Sequence, residues 1–271
     1  MSGRILAVAA AVALAMTGQV HAQESTASAP VSSADRVEAF AQLPYWPGYW
    51  VSEFQAGTTI GGIAPASIEA REKGEGLPAN FMSLAGGNAP WNETGRERLA
   101  EKFRIAQGRK AMGWGFPMMM NAATPVQFLI TPEEVLIINA YNEARHVYTD
   151  GRDHPPIEDL WPTTLGHSVG RWEGDTLVID TIMVRDPVDY FHGAPPLSDQ
   201  AHYVERIRMD GDRLVSEVTI EDPVTLAEPW NVTLSWIRDE GFDRMVQIDW
   251  DNDRTGFDGE LNTIEPEAVE E

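Results

Sequence analysis

The chain reads as a mostly β protein: a single antiparallel barrel or strongly curled sheet, with one or two short helices near its N-terminus. Three observations predict this. From Val126 onward, short apolar segments of period two alternate with tight turns. Most of those turns are too short to connect anything but antiparallel neighbours. No glycine-rich nucleotide loop stands at a strand–helix junction, which disfavours a parallel nucleotide-binding sheet. A run of about nine or ten strands must close or stack to manage its edges. A two-sheet sandwich is the alternative.

The elements follow in order. Arg4, the unbroken apolar stretch Ile5 to Met16 and the small-residue site Val20-His21-Ala22 are the three parts of a secretory signal peptide. The apolar stretch is too short to span a membrane as an ordinary helix. Cleavage after Ala22 and a periplasmic or secreted mature chain, without a membrane anchor, are expected. Residues 23–34 are small and polar and read as a disordered linker. A helix capped by Ser33 runs through Asp35 to Gln42, where Pro44 stops it. The first strand lies near Tyr49 to Phe54. Residues 55–90 carry no assignable pattern. Asn92 caps a second helix to about Ala106, with Leu99, Phe103 and Ala106 on one face.

Then come VQFLIT and VLIINAY around TPEE, followed by ARHVYT and the turn pair Asp150-Gly151. HSVGRW and TLVIDTIMV flank EGD; HYVERIRM and LVSEVTIE flank DGDR; WNVTLSWIR and MVQIDW complete the series. No composition break divides residues 35–255, so one domain is expected, with 256–271 as an acidic flexible tail.

Composition narrows the function classes. The 271 residues carry 20 Lys+Arg against 42 Asp+Glu, a formal charge of −22. Such a chain repels phosphate backbones and anionic lipid surfaces, so nucleic-acid and membrane-surface partners are not expected. Residues 239–271 alone carry a net −10. Asp249, Asp251 and Asp253 do not complete a calcium loop, which needs Gly at the sixth and Glu at the twelfth position together. There is no cysteine, which removes disulfides, thiolate catalysis and Cys-based metal sites. No ligand spacing demands a metal, and no cofactor is called for.

The candidate site region is 146–206, which holds all five histidines outside the leader. Alternation places His202, Val204, Arg206 and Arg208 on one face of their strand, with Tyr203, Glu205, Ile207 and Met209 on the other. Glu205 therefore faces a core and needs a partner, Arg171 being one possibility. Asp180 shares a face with Val178 and Ile182. His167 shares one with Arg171. Arg152 and His154 leave a strand into a proline-rich loop and suit anion binding or proton transfer. His167, His202, Glu205 and Asp180 are the candidate acid–base groups. Arg152, His154, Arg171, Arg206, Trp172 and His192 are the candidate ligand contacts. Ser198, Asp199 and His202 lack the elbow of a serine hydrolase. The nine tryptophans and the run Met118-Met119-Met120 supply core and the lining of a pocket.

Two resemblances add to this. Tyr148-Thr149-Asp150-Gly151-Arg152, the stretch Gly166 to Val178 (GHSVGRWEGDTLV), Val204-Glu205-Arg206, Glu221-Asp222-Pro223 and Pro229-Trp230 resemble a family of secreted, largely uncharacterised bacterial proteins. That resemblance covers about half the chain and implies a β-rich secreted domain. A His is expected before the Ser of PLSD in such relatives; Leu197 stands there instead. Gly48-Tyr49-Trp50 resembles the G-x-W opening of lipocalin-like barrels. The leading expectation is a barrel binding a small, partly apolar molecule in an aromatic-lined cavity. The alternatives are an acid–base enzyme (lyase, isomerase or hydrolase) in the same cavity, and an envelope interaction protein with no ligand.

Overall fold

A computed structural model describes residues 32–52, 84, 89–105, 113–121, 125–187, 194–241, 243–245 and 247. The chain divides into two compact units, 1–38 and 39–271. Helix α1 (Ser33–Ala41) begins in the first. Its cap is Ser32 rather than Ser33. The Ser32 hydroxyl accepts from Asp35 N at 3.2 Å, and Asp35 Oδ2 accepts from Ser32 N at 3.1 Å, a reciprocal box.

The second unit is a closed barrel of nine strands in sequence order. They are β1 (Trp50–Ser52), β2 (Val126–Ile130), β3 (Glu134–Asn139), β4 (Ala144–Tyr148), β5 (His167–Glu173), β6 (Thr176–Ile182), β7 (His202–Asp210), β8 (Arg213–Glu221) and β9 (Trp230–Arg238). Helix α2 (Glu93–Ile105) precedes β2. Asn92 caps it as expected, accepting from Gly95 N at 2.9 Å. The expected strand MVQIDW and the acidic tail fall largely or wholly outside the described residues. So do the signal peptide, most of the linker and nearly all of 55–90. Among the described residues no helix is long and apolar enough to cross a membrane.

One pairing differs from the all-antiparallel expectation: β4 and β5 run parallel, with Val147 opposite Ser168 and Tyr148 opposite Val169. The reason is length. Residues 149–166 are long enough to form a crossover, which a hairpin turn is not. Ring closure also requires it. Each antiparallel neighbour reverses direction, and reversals around a ring must be even in number. Nine pairings therefore need an odd number of parallel ones, and β1 then closes on β9 antiparallel.

Alternation gives most strands one buried face; β1 is buried on both. Val135 and Ile137, Arg145 and Val147, Leu177, Ile179 and Thr181, Tyr203, Glu205 and Ile207, and Leu214, Ser216, Val218 and Ile220 point inward. Aromatic rings fill one part of the core. Trp46 meets Phe128 and Trp172 edge-on, with ring centroids 5.6 Å apart in each pair. A strap of residues 113–121 reaches the same interior. Glu143 Oε1 accepts from Gly115 N at 2.8 Å, and Phe116 N donates to Thr164 O at 2.8 Å. Met118, Met119 and Met120 form a 3-10 turn within the core.

Candidate functional site

The site residues separate onto the two sides of one wall, made by β4 to β7. Register sets this. Ser168, Thr181 and Tyr203 lie in one inward row; His167, Asp180 and His202 occupy the outward positions of the same strands.

Inside, the partner of Glu205 is Arg145, not Arg171. Their side chains are each 1% exposed and form an ion pair through Nη2 and Oε2. Arg145 Nε donates to Ser168 Oγ at 3.2 Å, and Nη2 also donates to Thr181 Oγ1 at 2.8 Å. The guanidinium thus ties β4 to β5, β6 and β7. The Phe116 ring covers it at 3.9 Å from Cζ, and the same ring meets Tyr203 at 4.9 Å. Arg145 Nη1, Glu205 Oε1 and Ser216 Oγ are buried with no hydrogen-bond partner among the described residues. The ring nitrogens of Trp50, Trp172 and Trp230 are in the same state. Arg171 is on the outer face instead, where it and Arg206 share Glu173. The two arginines hold that exposed carboxyl below its ordinary pKa, Arg206 contributing most.

Outside, four groups form one hydrogen-bonded chain. His154 Nδ1 lies 2.8 Å from His167 Nδ1. His154 Nε2 lies 3.1 Å from Asp180 Oδ1. His202 Nε2 lies 2.9 Å from both Asp180 oxygens. The side chains are partly open to solvent: 18% for His154, 35% for Asp180 and 38% for His202. Burial pushes the Asp180 pKa up, but hydrogen bonds from His154 and His202 outweigh it and hold the carboxyl below its ordinary value. Burial holds the His167 imidazole below its ordinary value, and positive charge on His154, when that ring is protonated, and on Arg152 acts in the same direction.

The crossover positions His154. Gly166 ends it at φ +69°, where a Cβ would meet Ile182 O at 2.7 Å, so the chain turns tightly into β5 and aims His167 outward. Tyr148 on β4 flanks His167, ring centroids 5.6 Å apart, and Arg152 lies over Tyr148 at 4.2 Å. Arg152 is held by Asp150, its Nε donating at 2.9 Å and 3.0 Å to the two oxygens. Among the described residues no group of three or more His, Asp or Glu side chains is arranged to hold a metal ion.

The structure thus brings together His154, His167, Asp180 and His202. It sets Glu205 and Trp172 on the barrel's inner side and places Arg171 and Arg206 further along the wall. His192 lies outside the described residues. Ser198 serves a buried turn: its Oγ and N both donate to Asp222 at 2.7 Å. Leu197 is buried beside it. Sequence reasoning missed Arg145 and Phe116. The signal for Arg145 existed, since alternation in ARHVY puts it on the face of Val147. Phe116 stands in a strap with no periodicity. Comparison of the chain with protein-family models, with curated proteins and with solved structures finds no match in any of the three.

Proposed function

We propose that this is a periplasmic or secreted barrel whose interior holds a small, neutral, partly apolar molecule. One observation carries the reading: unpartnered polar atoms inside an otherwise aromatic and aliphatic core. Buried polar groups are nearly always satisfied, and leaving one unpaired is costly. Arg145 Nη1 offers a donor, Glu205 Oε1 an acceptor and Ser216 Oγ either. A hydroxyl or primary amide on an apolar body complements that set. The Arg145–Glu205 pair is already charge-balanced, so a charged guest would add an uncompensated buried charge. Met118, Met119 and Met120 are soft enough to repack around an occupant. The resemblance of Gly48-Tyr49-Trp50 to lipocalin-like barrels supports the same reading, and the leader at Arg4 to Ala22 supports the location.

The test is a tryptophan-fluorescence titration with a medium-chain primary alcohol, the matching amide and the matching carboxylate. Saturable binding of the first two but not the third, weakened in Ser216→Ala, is expected. No saturable change with any of them, in a folded protein, removes the reading.

A further inference from the structure

The outer chain of histidines and Asp180 plays no part in an interior ligand site. It joins the crossover to β5, β6 and β7 through side chains that sequence distance keeps far apart. An outer wall does not need such a chain for packing.

We propose that this wall is a second functional site, a general-base centre for ester hydrolysis, in which His167 Nε2 takes a proton from water and His154 and Asp180 relay the charge. The contacts accommodate the following proton inventory. An ionised carboxylate only accepts, so His154 Nε2 and His202 Nε2 each donate to Asp180. In the resting form proposed, His154 carries its single proton on Nε2, so its Nδ1 lone pair accepts from His167 Nδ1–H; the positive His154 is the form the relay creates. That leaves the lone pair of His167 at Nε2. The pKa direction of His167 agrees, since an imidazole below its ordinary value is neutral at pH 7.

In the step, water adds through oxygen to the acyl carbon while its proton passes to His167 Nε2. The Nδ1 proton of His167 moves to His154 Nδ1, and the imidazolium so formed is held by Asp180. Collapse of the tetrahedral adduct breaks the bond to the alcohol oxygen. The relay runs back and protonates the leaving group, giving acid and alcohol from ester and water. His167 is the catalytic residue; His154 and Asp180 position it and stabilise the charge. The groups around it are Tyr148 from β4, Arg152, His154 and Asp150 from the crossover, Asp180 from β6 and His202 from β7. Glu221 of β8 stands opposite His202 in register. Arg152 is neutralised by Asp150, so the wall suits a neutral ester.

The probe is p-nitrophenyl acetate, hydrolysed by the full chain across pH 4 to 9. The expected rate rises to a plateau as His167 loses its proton. His167→Gln falls to the buffer rate. His154→Gln and Asp180→Asn each fall about 10- to 100-fold and move the inflection. His146→Gln, which alters an exposed histidine paired with Glu134 elsewhere on β4, stays at the wild-type rate. Nitrogen-15 spectra of the wild-type histidines give a second readout that needs no variant, with the neutral His167 proton expected on Nδ1. Three results overturn the proposal: a wild type no faster than His167→Gln, an Asp180→Asn variant with unchanged inflection, or a neutral His167 protonated on Nε2. None of them bears on interior binding.

Discussion

Removing either Arg145 or Glu205 leaves the other as a buried charge without a counter-ion. A single substitution, Arg145→Met or Glu205→Gln, is expected to cost about 3–5 kcal/mol, read as a drop in urea midpoint. The double substitution to apolar residues of similar volume costs less than the sum, because it strands no charge. Outside, the titrating groups act through pH. His167 has a folded pKa below its ordinary 6.5, so the unfolded chain binds more protons as pH falls through that value. Asp180 has a folded pKa below its ordinary 3.8, so its contribution is present above that value and lost as pH drops through the folded one. Both slopes have the same sign. The buried Glu143 carboxyl, raised by burial, and relief of the net negative charge act the other way in any variant, so the expected signature is a difference: between about pH 7 and pH 5 His167→Gln loses less Tm, or gains more, than the wild type. A His167→Gln variant with an unchanged pH dependence of Tm contradicts this account.

At the scale of elements, the decisive feature is the crossover between β4 and β5. Its far end rests on Gly166, whose left-handed backbone and contact with the Ile182 carbonyl leave no room for a side chain. Gly166→Ala is expected to lose about 1–3 kcal/mol. Gly174→Ala, also at positive φ but facing open space, loses only the backbone penalty of about 1–2 kcal/mol. Thermal unfolding of both variants compares them. If Gly174→Ala proves the more damaging, close packing at the crossover is not what Gly166 serves. Helix α2 is joined to the barrel similarly: Asn92 Nδ2 donates to Val224 O at 3.0 Å, beside the Asp222 turn. A Cβ at Gly95 would strike Thr225 O at 2.3 Å, so this helix end sits directly on that turn.

For the molecule as a whole, a formal charge of −22 sets a background of self-repulsion. Raising salt from about 0.05 M to 0.5 M shortens the Debye length several-fold and is expected to raise Tm. A fall in Tm would mean that exposed ion pairs such as Arg206–Glu173 outweigh the repulsion. A closed ring has no edge strand at which unfolding can begin piecemeal. Far-ultraviolet and tryptophan signals are therefore expected to change together for residues 39–271.

What the sequence determined alone was local. Period two and the turn residues located β2 to β9 within a residue or two and sorted β5, β6 and β7 into faces, which put Glu205 inward with Ile207. They also put His167 and Arg171 on a common face. Side-chain alternation is a property of one strand, so it needs no partner to be read. What the tertiary structure decided was which faces meet. Closure of the ring put Arg145 within reach of Glu205, 60 residues away. It also turned the face of Asp180 and His167 outward, although Val178 and Ile182 share it. His154 stands in a segment with no period at all, and only the parallel crossover carries it onto the outer wall. Register between distant strands and the path of a long loop depend on the packing of the whole barrel.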